Sequence, residues 1–324
     1  MKKHELKVAM IGVSHWHVPL YLDGLKEVSV VAVSDDSPAQ SEKFAKILGC
    51  KAYTDAMELL DREKPDFVFA FAQHNKMAEL SKELIRRNIG FSMEKPMGMN
   101  YGELKEVYEL AESRNVFCAI PFIWRYSDTI SRLKDALSAD EIRHLAFRFI
   151  AGPPSRYLAS SRWMLDESTA GGGCMTNLGV HFIDMALYLT GSSDAEVLGS
   201  VYHKTSEYNI ETYASSLLKL SSGASLSLET GYAYPMDESK RENRWNIVYD
   251  KGYCTLAENQ LEQRVFGAET SIESVNTDSD VYYAQYTRQT IDDFISGTRP
   301  RASLQEMLIV RDILDRMNKA AKEL

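Results

Sequence analysis

The 324-residue chain has little of what would make it a stapled, membrane-spanning or nucleic-acid-binding protein. It has only four cysteines (Cys50, Cys118, Cys174 and Cys254), scattered and without a CxxC pair, which excludes zinc-ribbon and thioredoxin readings and fits reduced thiols in a cytoplasmic protein. No apolar run approaches the roughly 18–20 residues a membrane span needs. The opening MKKHELKVAMIGV is too short in apolar residues for a signal-peptide core and soon meets His15 and His17. Basic residues are in deficit: 37 Lys and Arg against 46 Asp and Glu give a net charge of −9, which argues against a nucleic-acid groove. No repeat or low-complexity segment is visible. A 44% hydrophobic share over this length suits a chain of two domains, each with its own core.

What is present is a change of rhythm at Pro121. Before it, short runs rich in Val, Ile and Phe (7–11, 28–33, 51–53, 67–71, 90–93 and 116–120) alternate with helical patterns (18–26, 39–48, 56–62, 76–88 and 101–113). Gly49 and Gly90 stand where helix-terminating glycines belong. This alternation predicts an α/β, Rossmann-type, doubly wound parallel sheet over residues 1–121. After it, there is one long helical stretch (175–189), and strand patterns run across this part at 142–151, 197–205, 213–220, 224–231, 245–249, 254–257 and 264–266. Residues 122–324 are therefore expected to form an α+β domain on a large, mostly antiparallel open sheet. The tail, 304–324, reads as an amphipathic helix that packs back towards the first domain.

In open α/β sheets ligands bind beyond the carboxyl ends of the strands, and the chemically interesting residues of the first domain fall there. The first strand runs into Gly12-Val13-Ser14-His15-Trp16-His17, a phosphate loop keeping only the first glycine of GxGxxG. Gly12 permits the tight turn, and Ser14 is small enough for a pyrophosphate to approach the backbone. Asp35 follows about twenty residues on, where a carboxylate would accept from ribose hydroxyls and repel a 2′-phosphate, favouring NAD over NADP; the alternative is that Asp35 only caps a turn. His15 and His17, at i and i+2, do not face each other as metal ligands would. Packing or stacking of His15 or Trp16 near a cofactor suits them better, and no metal is expected.

Two clusters carry catalytic chemistry. Strand five ends in Met93-Glu94-Lys95-Pro96. Lys95 there could hold a substrate hydroxyl, or be half of a surface Glu–Lys pair before a helix; a cis bond to Pro96 is expected. Then Gly171-Gly172-Gly173 lead into a helix on which Asn177, His181 and Asp184, at i, i+4 and i+7, share a face while Phe182, Met185 and Leu189 pack elsewhere. Such a stripe lines a pocket or holds a hydrogen-bonded core histidine. Arg125, Arg156, Tyr157, Arg162, Trp163 and Tyr232 are further pocket candidates, Arg to grip hydroxyls or a carboxylate and aromatic faces to stack on a sugar.

The glycine-led loop, the EKP turn and the GGGxxxNxGxHxxD helix, in this order over essentially the whole chain, resemble the Gfo/Idh/MocA family, the group of glucose–fructose oxidoreductase and inositol dehydrogenase. The resemblance implies NAD(P)-dependent hydride transfer to or from a sugar, polyol or cyclitol. It implies that Lys95 contacts nicotinamide ribose and substrate and that His181 is the general acid/base. It places Asn177 at the position of the histidine's partner carboxylate and Asp184 among substrate ligands. It implies a cofactor site made by Gly12, Ser14, His15, Trp16, Asp35, Ala72, His74, Glu94, Lys95 and Pro96. The chain departs from the family in having Asn for Asp at 177, Ala72-Gln73 for Thr-Pro, Met77 for a downstream His, and Ser14 and His17 for two loop glycines. A non-catalytic NAD-binding sensor, or a glycoside hydrolase or lyase using NAD transiently, are the alternatives of the same fold. The expected partners are a carbohydrate-like small molecule and further copies of the chain, as a dimer or tetramer, with neither nucleic acid nor membrane.

Overall fold

A computed structural model describes residues 2–159, 161–235 and 241–323. It forms two compact units, one of Met1–Pro121 with Asp280–Leu308, the other of Phe122–Ser279 with Ile309–Leu324.

The first unit follows the strand–helix alternation. In chain order it holds β1 (Lys7–Ile11), α1 (Val18–Tyr21, continued by a 3₁₀ turn, Leu22–Leu25), β2 (Ser29–Ser34), α2 (Pro38–Leu48), β3 (Lys51–Tyr53) and α3 (Ala56–Glu63). It continues with β4 (Phe67–Ala70), α4 (His74–Arg86), β5 (Gly90–Met93), α5 (Tyr101–Arg114) and β6 (Cys118–Ala119). The strands make one parallel sheet in the order β3-β2-β1-β4-β5-β6. Val8, Ala9 and Met10 of β1 and Phe67, Val68 and Phe69 of β4 are fully buried, as strands covered on both faces must be. The order reverses between β1 and β4, so the crevice that takes ligands in such sheets opens at their carboxyl ends. Asp55 and Asn100 cap α3 and α5 by accepting from the N–H of Glu58 and Glu103, each worth about 1 kcal/mol. Gly49 ends α2 in the left-handed conformation as expected. Gly90 does not end a helix: α4 stops at Arg86, capped by Arg87, and Gly90 opens β5, where an added Cβ would lie 2.4 Å from the ring of Phe294.

The second unit carries α6 (Asp128–Ala136), β7 (Ile142–Ala151), α7 (Glu167–Ala170), a π-helical turn (Met175–Gly179) that runs into α8 (Val180–Thr190), and then β8 (Ala195–Lys204), β9 (Glu211–Leu220), β10 (Ser225–Gly231), β11 (Arg241–Tyr249), β12 (Gly252–Ala257), β13 (Gln260–Val265) and β14 (Ser271–Ser274). With β15 (Ala321–Glu323) these strands form a nine-stranded sheet in the order β14-β13-β12-β11-β7-β10-β9-β8-β15, antiparallel except that β10 runs parallel to β7 and β15 parallel to β8. Phe182 of α8 packs on Phe147 and Phe149 of β7, with ring centroids 5.7 and 5.3 Å apart. Trp245 closes that layer against Trp124 and Phe147.

Several elements depart from the sequence reading, beginning with α6, which it did not assign. Helix α9 (Tyr282–Ser296) lies in the region expected to belong wholly to the second domain, yet it packs on the first unit: an added Cβ at Gly24 would meet Thr287 at 2.4 Å. Its buried positions are mostly Tyr and Thr, with Ile291 and Asp293, rather than a run of aliphatic residues, which hides the usual periodicity. Strand β14 is exposed throughout and carries no alternation to read. The tail helix, α10 (Leu304–Ala320), ends before the chain does; Ala321–Glu323 form β15, pairing with Ser200–Tyr202, and its first residues, to Leu308, belong to the first unit.

Candidate active site

In the first unit the loop after β1 is held tightly. Gly12 has φ 78°, and a Cβ there would fall 1.9 Å from the carbonyl oxygen of Phe71, so only glycine fits where the loop passes the end of β4. The Asp35 carboxylate accepts from the backbone N–H of Ser14 (2.7 Å) and of Ser37 (3.0 Å), tying the loop to the end of β2. Asp35 thus makes the turn contacts that were the alternative to a ribose role, and a carboxylate with two bonds retains lone pairs for a hydroxyl. The neighbouring Asp36 is exposed, with Lys76 3.5 Å away.

His15 stacks on Trp16 with centroids 3.9 Å apart. Burial, and then the neighbouring His17, hold the His15 imidazole well below its usual pKa, so it is neutral at pH 7. Its Nδ1 accepts the N–H of His17 at 3.2 Å, which puts its proton on Nε2 as a donor. Strand β5 delivers Glu94 and Lys95, both buried, and the Lys95–Pro96 peptide is cis as expected. Glu94 Oε1 accepts from His17 Nδ1 (3.0 Å) and from the Tyr21 hydroxyl (2.7 Å). Burial pushes the Glu94 carboxyl up, but His17, by charge and hydrogen bond, and then His15 and Lys95 outweigh it and leave it well below the usual range. Ala72 is half-buried just past β4, and His74 is buried at the start of α4, within electrostatic range of His15. The structure therefore gathers His15, Trp16, His74, Glu94 and Lys95 at one end of the sheet, together with His17, Tyr21 and, from α9, Tyr283, which sequence reasoning did not assign.

This end suits a nicotinamide dinucleotide on its own evidence. Gly12 provides the close backbone approach, His15 offers a neutral donor, and Glu94 Oε2 is fully buried without a hydrogen-bond partner among the described residues, an acceptor that a ribose hydroxyl or carboxamide would satisfy. Among the described residues no group of three or more His, Cys, Asp or Glu is placed to hold a metal.

In the second unit the residues of the expected stripe, Asn177, His181 and Asp184, have these surroundings. Asn177 sits in the π turn that precedes α8, and His181 and Asp184 sit in α8 itself. The Asn177 amide donates to the Tyr157 and Tyr232 hydroxyls, both at 3.0 Å, and Arg156 donates to Tyr157 at 2.9 Å. Burial, and then Tyr157, raise the Tyr232 phenol well above its usual pKa. Asp184 is buried in a two-pronged pair with Arg125 (2.9 and 2.7 Å), so two residues expected at the substrate bind each other. His181 is half-buried, its ring 6.2 Å from that of Phe122, just before the turn (Ile123–Tyr126) that carries Arg125. Arg162 is exposed and Trp163 half-buried in the turn before α7.

Sequence reasoning missed Glu211. This buried carboxylate at the start of β9 accepts from the N–H of Gly173 (2.7 Å) and of Met175 (3.0 Å), fastening the triple-glycine turn to the sheet. Gly173 is obligatory there, since a Cβ would lie 2.0 Å from the Glu211 carbonyl oxygen. Burial outweighs the donated backbone hydrogen bonds and raises the Glu211 carboxyl pKa. The one signal available was an acid in the first turnless position of a strand, between Ile210 and Thr212.

Residues 6–122 match the profile of an oxidoreductase family with an NAD-binding Rossmann fold, and residues 130–255 match the GFO/IDH/MocA C-terminal domain. The chain belongs to the GFO/IDH/MocA oxidoreductase family. Among its relatives is a dTDP-3,4-didehydro-2,6-dideoxy-α-D-glucose 3-reductase of Saccharopolyspora spinosa, 25% identical over 74% of this chain and 72% of the relative. Another is a myo-inositol 2-dehydrogenase of Thermotoga maritima, 24% identical over 60% and 59%. Several alignments span only half to three-fifths of the relative's length. The fold is that of a levoglucosan dehydrogenase solved with NADH and levoglucosan (TM-score 0.87, 14% identity, 97% and 96% of the two chains). It is also that of GenD2 from gentamicin A biosynthesis, solved with NAD (TM-score 0.83, 18% identity, 97% and 93%).

Proposed function

We propose that this protein is an NAD(P)-dependent oxidoreductase that moves a hydride between the nicotinamide and a secondary alcohol or ketone of a sugar, polyol or cyclitol. The observation that carries the reading is the end of β5, where a buried lysine follows a buried carboxylate that still lacks one hydrogen-bond donor. The cofactor, when bound, takes or gives the hydride. Gly12, Ser14, His15, Trp16, Asp35, Ala72, His74 and Glu94 would hold it, and the carboxylates of Asp35 and Asp36 favour NAD over NADP. Lys95 holds the substrate oxygen and stabilises negative charge developing on it. His181 takes the hydroxyl proton during oxidation and returns it during reduction. Tyr157, Asn177 and Tyr232 offer hydroxyl and amide groups to a polyol, and Arg162 and Trp163 flank it; the Arg125–Asp184 pair sets the shape of the turn next to His181. We further assign the open face of the nine-stranded sheet, with His144, Arg148, Glu229, Arg244 and Val248, to contact with a second copy, which solution scattering mass would test. Among the described residues no helix is long and apolar enough to cross a membrane.

The test is NADH formation from NAD⁺ with a panel including myo-inositol, levoglucosan and glucose 6-phosphate, beside thermal shift with NAD and NADP. Lys95→Ala and His181→Ala are each expected to lower kcat by about 10²–10⁴-fold while NAD still raises the melting temperature. Wild-type turnover in either variant would overturn that residue's role. Product formation without net NADH would favour the hydrolase or lyase reading, and NAD binding with no turnover of any panel member the sensor reading.

A further inference from the structure

His17 stands where the dinucleotide loop of this fold ordinarily has its third glycine. Its imidazole does not simply fill space. Nδ1 donates to Glu94 Oε1 at 3.0 Å, and the Tyr283 hydroxyl of α9 lies 3.1 Å from Nδ1 and 3.3 Å from Nε2, backing the ring. The same carboxylate oxygen takes the Tyr21 hydroxyl, from the helix that follows the loop. The Glu94 backbone N–H is bonded to the Ala70 carbonyl at 3.2 Å, so Glu94 is fixed at main chain and side chain alike. Lys95 is the next residue.

We propose that His17 is a positioning residue for Lys95: by holding Glu94 it makes the dinucleotide loop and the lysine-bearing turn one hydrogen-bonded unit. This rests on the reading that Lys95 acts on substrate. The physical reason is the state of Glu94 without it. A fully buried carboxylate would keep one hydrogen bond, from Tyr21, with Oε2 already lacking one. The cation already within its field is Lys95. Deprived of His17, Glu94 draws the ammonium to itself, and the amine leaves the place where it would meet a substrate oxygen.

The experiment compares His17→Gly, which restores the motif glycine, with His17→Gln, which keeps an N–H donor for Glu94. Three readouts are taken: amide hydrogen exchange of residues 93–97 in the protein without cofactor, NAD⁺ affinity by calorimetry, and kcat on the panel alcohol that gives the fastest NADH formation. The expected result for His17→Gly is faster exchange confined to this turn, unchanged NAD⁺ affinity, and a kcat lower by about ten- to a hundredfold; His17→Gln recovers most of both losses. Unchanged exchange and kcat in His17→Gly, or tighter NAD⁺ binding with kcat intact, would show a space-filling residue and overturn the proposal. So would a loss confined to NAD⁺ affinity, which would make His17 a cofactor ligand. Lys95→Ala is run in parallel. If it turns over like the wild type, the Lys95 reading fails by itself, and the exchange data alone then decide whether His17 holds the turn.

Discussion

Glu94 and Glu211 are both carboxylates buried to within a few per cent, one in each unit, and their acidities move in opposite directions. Glu94 is served by side chains, an imidazole and a phenol, with a lysine beside it. Glu211 is served by backbone N–H groups at the entry to the π turn. Burial penalises both charges. At Glu94 the histidine and lysine neighbours overcome the penalty; at Glu211 backbone amide dipoles do not. The first therefore behaves as one pole of a charge network and the second as a peg that pays in acidity for holding a glycine turn closed.

The sharpest way to break this comparison is truncation. Glu94→Ala removes the acceptor of His17 and Tyr21 and leaves buried Lys95 without its adjacent counter-charge. It is expected to destabilise the protein by about 3–5 kcal/mol in urea denaturation, as the loss of one member of a buried pair does. Glu211→Ala leaves two buried N–H groups without acceptors, and about 2–3 kcal/mol is expected from the same measurement. A larger loss at Glu211 than at Glu94 would mean that the backbone clamp, not the charge network, is the stronger of the two. Smaller again, Asn177→Leu deletes the donor shared by Tyr157 and Tyr232 at nearly constant volume. It should cost about 1–2 kcal/mol, with kcat affected more than NAD⁺ affinity.

Much of the first unit was legible because its signals are local: buried Val, Ile and Phe runs, Gly12 forced by a close approach, and a lysine at a strand's end. The family match carried the general reaction. What could not be read depended on contacts between distant residues. Tyr283 reaches His17 across 266 positions, from a helix whose buried side chains are polar enough to mask it. Glu211 meets Gly173 across 38 positions, with no motif to announce it. The π turn at Met175–Gly179 was hidden for a different reason: sequence periodicity assumes a uniform helix. Arg125 and Asp184, each a reasonable substrate ligand alone, are partners because the chain brings the turn after Pro121 against α8.

The smallest effect is also the most specific, because it concerns sign. Glu94 has its folded pKa below the ordinary 4.5, so its contribution to stability is complete above that value and is lost as pH falls through and below it. Glu211 has its folded pKa above 4.5, so the folded protein binds that proton more tightly than the unfolded chain; its contribution is greatest at acid pH and is lost as pH rises from 4.5 through the folded value. Glutamine removes each titration while keeping the shape. In urea midpoints taken from about pH 4 to 7, the advantage of wild type over Glu94→Gln should grow as pH rises and then level, while its advantage over Glu211→Gln should shrink. Each pKa unit of difference corresponds to about 1.4 kcal/mol, well within such a measurement. Curves of the same sign for the two variants would mean that backbone N–H groups hold a buried charge as well as an imidazole does, and the distinction between network and peg would fall.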